Sequence, residues 1–333
     1  MKVLVTGGAG YIGSHAVREL RDAGHEVSVL DDLSQGHRKA LPPEVPLVRG
    51  DLGDAASLAR AMAGVDAVMH FAGLLSVADS MADPASYYRT NVVKGLALLE
   101  AMSATSVRDI VFSSTCAVYG MPVRVPMDED HPREPINPYG ATKLAFERAL
   151  ADHGRAGSLR AVALRYFNAA GCHPDGSLGE DHRPEVHIVP RAVDAALGLA
   201  EGLTIHGEDY DTPDGTCIRD YIHVQDLARA HVLALEFLRG RTAEGAAFQA
   251  FNLGTGRGRS VREVIQAVER VARRAVPVRV GPRRPGDPPR LVAAVERGRR
   301  GLGFEARQVE LDPMVESAVR WRRDHPQGYG PAS

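Results

Sequence analysis

Cysteine is scarce in this sequence, with three in 333 residues at Cys116, Cys172 and Cys217. So sparse and odd a set excludes a disulfide scaffold, and a reduced cytosolic compartment is the simpler expectation. Long apolar runs are missing too; none approaches the length needed to span a bilayer. No basic stretch followed by an apolar one precedes the first strand pattern, Lys2-Val3-Leu4-Val5-Thr6, so no secretory signal is expected. Net charge is small, at −2, and gives no field to draw the protein to nucleic acid or membrane. Aromatics are few and do not interleave with the arginines between Arg283 and Arg300, which argues against a nucleic-acid patch. Nor is there an internal repeat.

What is present is an ordinary globular balance, 44% hydrophobic and 25% charged, in a length that suggests roughly two units. Short apolar runs at Val3–Thr6, Val27–Asp31, Pro46–Gly50, Ala67–Phe71, Ile110–Ser113 and Ala161–Tyr166 alternate with helical patterns at Ile12–Ala23, Ala55–Ala63, Pro84–Ala104 and Pro138–His153. That alternation predicts an α/β fold with a doubly wound parallel Rossmann sheet over residues 1–170. From about Gly171 the pattern loosens into polar stretches and shorter helices at Asp226–Leu238 and Val261–Arg273. A smaller C-terminal α/β substrate-binding domain over 171–330 is expected, with a return to the first domain near 220–250. The tail Asp324–Ser333 is expected to fray.

Thr6-Gly7-Gly8-Ala9-Gly10-Tyr11-Ile12-Gly13 lies between a strand and a helix. Glycines there permit a tight turn and close approach of backbone to a pyrophosphate, which the N–H groups of the next helix can receive. Asp31 ends the following strand, where a carboxylate takes the adenosine ribose hydroxyls and repels a 2′-phosphate; NAD is favoured over NADP. Asp32 adds negative charge. Asp51, after the third strand, fits either an adenine contact or the N-cap of the next helix.

Asn137-Pro138-Tyr139-Gly140-Ala141-Thr142-Lys143 opens a helix, with Asn137 as N-cap and Pro138 in the first turn. Spacing of i to i+4 puts Tyr139 and Lys143 on one face. A tyrosine base working near pH 7 must have its pKa lowered by about 4 kcal/mol. A cation about 6 Å away contributes roughly 3 kcal/mol at an effective dielectric of 20. Lys143 together with an oxidised nicotinamide is expected to reach that target. The hydroxyls of Ser113, Ser114 and Thr115 follow another strand, at the end where ligands bind in such sheets.

Together these residues resemble the extended short-chain dehydrogenase/reductase family, and within it the sugar-nucleotide epimerases. Matching segments are Gly7–His15, His70–Gly73, Ser113–Gly120, Tyr139–Lys143, Arg165–Gly171, Gly179–Pro190, His206–Asp226, Phe251–Gly256 and Arg283–Asp287. The resemblance implies 4-epimerisation of a UDP-hexose with tightly bound NAD. Tyr139 would exchange the proton of the sugar O4, Thr115 would bridge tyrosine and O4, and Lys143 would hold the nicotinamide ribose. It also implies cofactor contacts at Leu52, Phe71, Ala72, Gly73, Thr90, Ser113 and Phe167. The substrate would be held by Asn168, His187, Ile188, by Arg219 and Arg284 on the pyrophosphate, and by Asp287 on the uridine ribose. Homodimerisation through Pro84–Ala104 and Pro138–His153 is common in the family.

Leu75 and Thr90 depart from the residues common at their positions. Cys116 and Ala117 stand where sugar-nucleotide dehydratases carry carboxylates, which argues against water elimination. A non-enzymatic dinucleotide sensor would usually lack Tyr139 or Lys143. The resemblance implies that residues around Leu291 shape the pocket near the sugar C2, where a residue smaller than the family's tyrosine would admit an N-acetyl group, so N-acetylated sugars and pentoses stay open as substrates. His70 reads as a packed histidine. His173, His182 and His187 carry no ligand spacing with cysteine, so no metal is expected.

Overall fold

The computed structural model describes residues 1–240, 247–284 and 286–330. Its strands are β1 (Lys2–Thr6), β2 (Glu26–Asp31), β3 (Leu47–Arg49), β4 (Ala67–His70), β5 (Asp109–Ser113), β6 (Arg160–Tyr166), β7 (Asn168–Ala170), β8 (Leu203–His206), β9 (Ile218–His223), β10 (Phe248–Leu253), β11 (Gly258–Ser260), β12 (Val278–Gly281) and β13 (Arg290–Leu291). Its helices are α1 (Tyr11–Asp22), α2 (Ala55–Ala61), α3 (Val77–Ala82), α4 (Pro84–Tyr87), α5 (Lys94–Ala104), α6 (Pro138–Arg155), α7 (Ile188–Leu197), α8 (Val224–Arg239), α9 (Val261–Ala272), α10 (Glu296–Leu302) and α11 (Leu311–Asp324).

Seven parallel strands form the main sheet in the order β10-β6-β5-β4-β1-β2-β3. Alternation along each strand feeds two cores. Val3 and Val5 of β1 face the layer of α1 and α8, with Ala16, Leu20, Leu227 and Leu235. Leu4 faces the opposite layer of α2, α5 and α6, with Leu58, Leu98, Phe146 and Leu150. Strand order reverses between β1 and β4, and a ligand crevice lies at the carboxyl ends of strands flanking such a switch point. The chain leaves this sheet after β6 and returns to it through α8 and β10. A third core joins α7, α9 and α11 through Val189, Val193, Val268, Met314 and the fully buried Trp321. Small sheets, β7 and β13 parallel to β9 with β11 antiparallel, and β8 with β12, complete the smaller part.

One expectation is refined and one corrected. Pro84–Ala104 is helical throughout, but α4 and α5 join through a π-helical turn, Tyr88–Val93. The widened turn brings Asn91 inward, where its amide receives the Leu74 N–H at 2.8 Å and donates to Leu74 O at 3.1 Å and to Thr142 Oγ1 at 3.1 Å. The tail does not fray through Gly330. Tyr329 is buried, its N–H donates to Asp181 at 2.9 Å, and its hydroxyl receives the Gly179 N–H at 3.0 Å. Residues 331–333 lie outside the described residues.

Candidate active site

Gly7, Gly10 and Gly13 form the turn into α1, and their reasons for being glycine differ. A Cβ on Gly13 would stand 2.2 Å from Gly7 O, inside the loop itself. A Cβ on Gly10 would meet nothing closer than Gly7 O at 3.4 Å, an ordinary contact, and Gly10 has extended backbone that any residue adopts. Gly10 is therefore not required by the protein's own packing. It caps α1 without a side-chain hydrogen bond, and no acidic residue occupies the first turn with Tyr11 and Ile12. A bare helix N-terminus over a smooth glycine surface fits a pyrophosphate. Gly10→Ala is expected to leave the unfolding midpoint unchanged while weakening dinucleotide binding about tenfold, roughly 1.4 kcal/mol. Gly13→Ala should destabilise the protein itself by about 1–3 kcal/mol through overpacking. Thermal melts and calorimetric titration separate the two; equal effects on both would contradict the distinction.

Asp31 is buried at the end of β2, and its two oxygens receive the N–H groups of Ala9 and Leu33, each at 2.9 Å. Burial raises its pKa, against those two backbone bonds. Each oxygen keeps a lone pair for a ribose hydroxyl. Asp32 receives the Ser34 N–H at 2.8 Å. Asp51, followed by the buried Leu52, pairs with Lys94 and receives the Gly53 N–H at 2.6 Å. The N-cap of α2 is Asp54, not Asp51; Asp54 receives the N–H groups of Ala56 and Ser57.

Tyr139 and Lys143 are both buried on the first turns of α6, whose N-cap Asn137 receives the Gly140 N–H at 2.8 Å. Lys143 Nζ donates to Ser113 O at 3.0 Å and lies 6.0 Å from the centre of the Tyr139 ring. Burial pulls the Lys143 ammonium down to about 8, with Glu147 opposing. Burial pushes the Tyr139 phenol far above its ordinary value, and the nearby Tyr166 adds to this; a hydrogen bond with Thr115 works the other way. Lys143 stands at the expected separation, yet without another positive charge the tyrosine is not a base at neutral pH. Thr115 Oγ1 also receives the Ala117 N–H at 3.2 Å, which fixes the strand end.

Around this pair, a Cβ on Gly73 would lie 2.9 Å from Asn91 Oδ1 and 3.7 Å from Lys143 Nζ, so the loop after β4 closes on both. Ala72 backs against Gly7, Phe71 packs on His231 with ring centres 4.6 Å apart, and Ser113 Oγ donates to the Tyr166 hydroxyl. Phe167 is buried with Val118, Tyr119, Leu144 and Leu291. Thr90 is only partly buried; its neighbour Asn91 is the side chain turned to the Gly73–Leu74 loop. Leu75 is exposed. His70 is packed: its Nδ1 hydrogen-bonds Thr6 Oγ1 at 2.7 Å, between Phe112 and Phe146.

On the smaller part, Asn168 opens β7 beside Tyr221 of β9. Arg219 and Asp287 form an ion pair at 2.5 Å, while Arg284 is exposed near His206. Pro285 lies outside the described residues. His187 precedes Ile188 at the start of α7, with its Nδ1 turned to Glu180 and Glu185.

Sequence reasoning missed Asn91 and a buried network under the site. Glu147, on the Tyr139–Lys143 face of α6, takes Arg165 in two bonds of 2.9 and 2.6 Å and the Ser114 hydroxyl at 2.6 Å. Arg165 also donates to Tyr119, whose hydroxyl donates to Asn252 at 2.6 Å. This ties α6 to the carboxyl ends of β5 and β6. The i+4 spacing of Glu147 from Lys143 was the readable signal.

The chain matches the NAD dependent epimerase/dehydratase family over residues 3–254. It is 52% identical to a UDP-glucose 4-epimerase of Azospirillum brasilense, over 99% of this chain and 94% of that one. The fold superposes with a TM-score of 0.91 on a UDP-glucose 4-epimerase from Brucella ovis in complex with NAD, at 49% identity over 96% and 97% of the two chains. It superposes with a TM-score of 0.93 on a UDP-glucose 4-epimerase from Bifidobacterium longum in complex with NAD+ and UDP, at 38% identity over 98% and 100%.

Proposed function

The chain belongs to the NAD-dependent epimerase/dehydratase family, and from that premise we propose that it interconverts UDP-glucose and UDP-galactose with tightly held NAD. The observation that carries this reading is the buried trio of Tyr139, Lys143 and Thr115 beside a glycine loop and Asp31. When bound, NAD supplies a hydride acceptor and donor and, in its oxidised form, a positive charge. Gly7, Gly10, Tyr11, Ile12 and Gly13 hold its pyrophosphate, Asp31 its adenosine ribose, and Lys143 with Asn91 and Gly73 the nicotinamide end. Tyr139 Oη takes the proton from the sugar O4 and later returns it. Thr115 orients that exchange through its hydroxyl. Arg219 and Arg284 bind the sugar-nucleotide pyrophosphate and Asp287 the uridine ribose, so Arg219 trades its present ion pair for phosphate on binding. Asn168, His187 and Ile188 line the sugar-nucleotide cleft.

We assign residues 1–170, with a later return near 220–250, to NAD and residues 171–330 to substrate. Cys116 and Ala117 offer no carboxylate for expelling water, which disfavours a dehydratase. We further propose a homodimer through Pro84–Ala104 and Pro138–His153; exposed Val93 and Leu96 give the first of these an apolar face. Three unpaired cysteines suit a cytoplasmic enzyme. Among the described residues no helix is long and apolar enough to cross a membrane.

Purified protein given UDP-galactose, with no added reductant, is expected to form UDP-glucose without net NADH. Turnover of UDP-N-acetylglucosamine or a UDP-pentose alone would reassign the sugar. A 4-keto-6-deoxy product would overturn epimerisation itself.

A further inference from the structure

The segment between β7 and α7 carries a cluster that reaches the proposed substrate cleft only at His187 and takes no part in the proton exchange. Glu180, His182, Glu185 and His187 lie within eight residues and turn their polar ends to one point. Glu180 Oε1 is 2.7 Å from His187 Nδ1 and 3.3 Å from His182 Nδ1; Glu185 Oε1 is 3.2 Å from His187 Nδ1, and Glu185 Oε2 is 3.4 Å from His182 Nδ1. The Glu180 side chain is 4% exposed and that of His182 10%. Yet Glu180 Oε1 and both Nδ1 atoms, all buried, make no directed hydrogen bond.

Buried polar atoms that crowd together in ion-pair range without an aligned hydrogen bond suit a shared central partner. Four donors around an ion at about 2.05 Å, a zinc bond length to nitrogen or carboxylate oxygen, stand about 3.3 Å apart at the vertices of a tetrahedron. The separations here, with Glu185 facing one imidazole through each oxygen, fall near that value, and one donor atom from each residue lies within 4.8 Å of the others. Two neutral imidazoles and two carboxylates carry a charge of −2, which one divalent cation cancels. Nitrogen donors disfavour calcium and magnesium. We propose that Glu180, His182, Glu185 and His187 bind one divalent transition ion of the zinc class, with all four positions filled by protein so that its role is structural.

Supporting contacts have the expected form. Glu185 Oε1 receives the N–H groups of Val186 and His187, which orients the carboxylate. His182 meets the Tyr11 ring edge-on at 6.1 Å, and the Tyr11 hydroxyl donates to Gly171 O. A cavity of about 30 Å³ adjoins the cluster, lined in part by Cys172, Glu180, His182 and Glu185. The ion would fasten the start of α7 behind the glycine-loop helix. A search for cysteine partners overlooks it, because its partners are carboxylates.

The rival occupant is two protons. Burial opposes charge on the imidazoles, but the carboxylates hold His182 up at about 9 and His187 at about 10. Metal analysis decides between them. Untagged protein, incubated with zinc sulfate and desalted, is expected to retain about one zinc per chain. Chelation should lower the unfolding midpoint, and zinc should restore it. A His182→Gln, Glu185→Gln variant should retain none. Wild-type protein holding well under one divalent ion per chain, with a midpoint indifferent to chelator and zinc, overturns the proposal. So does retention of the metal by the double variant. Because metal content is read without any turnover, failure of the epimerase reading leaves this test intact.

Discussion

Tyr139→Phe is expected to lower kcat for UDP-galactose conversion by roughly 10²–10⁴, the usual contribution of a positioned general acid–base. The substitution removes one buried hydroxyl and keeps the ring that packs at the head of α6. Phenylalanine keeps the buried ring and loses only the hydroxyl, so the protein should fold with NAD retained and KM little changed. Wild-type activity should rise with pH on the acid side, because burial holds the phenol high and the base form must be populated. Tyr139→Phe should flatten that acid limb. Stopped assays across pH, with NAD content measured on the same samples, check both. Preserved kcat would remove Tyr139 from the chemistry while leaving the family assignment untouched.

What could be read in the sequence is what the chain keeps local. The glycine turn, Asp31 and the Tyr139–Lys143 pair are contiguous or one helical turn apart, so spacing alone brings them together. The parallel sheet followed from short apolar runs alternating with helical patterns along the chain. Pro84–Ala104 reads as a uniform helix because a π-helical turn leaves no mark in a 3.6-residue period; the resemblance pointed to Thr90, whereas the turn buries its neighbour Asn91. Asp51 and Asp54 stand three apart, and either could cap α2 by composition; the chain's path selected Asp54. Tyr329 sits among turn residues, and only the pocket at Asp181 and Gly179 distinguishes it from a loose end. Arg165 and Arg219 find carboxylates 18 and 68 residues away. No local pattern specifies such partners; the crossing of β6 over α6 and the return of β13 beside β9 do.

Removing Glu147 should have the largest effect on stability. Glu147→Leu leaves the Arg165 guanidinium, itself about as buried as any charge in the fold, without its carboxylate. Breaking one half of such a pair costs roughly 3–5 kcal/mol, whereas replacing both halves by apolar residues is often neutral. Denaturant melts should therefore show a large loss for Glu147→Leu and recovery of most of it in Glu147→Leu, Arg165→Met. Activity should not recover in parallel. Glu147 is the neighbour that holds the Lys143 ammonium up against burial. Without it the lysine loses its proton at lower pH than the present value of about 8. The sign follows: Lys143 is charged below its pKa and neutral above it, so the alkaline fall in activity should move to lower pH in the stable double variant. An alkaline limb that stays in place would make Glu147 a structural anchor of α6 alone. A limb that moves would make it the residue that sets the charge beside Tyr139.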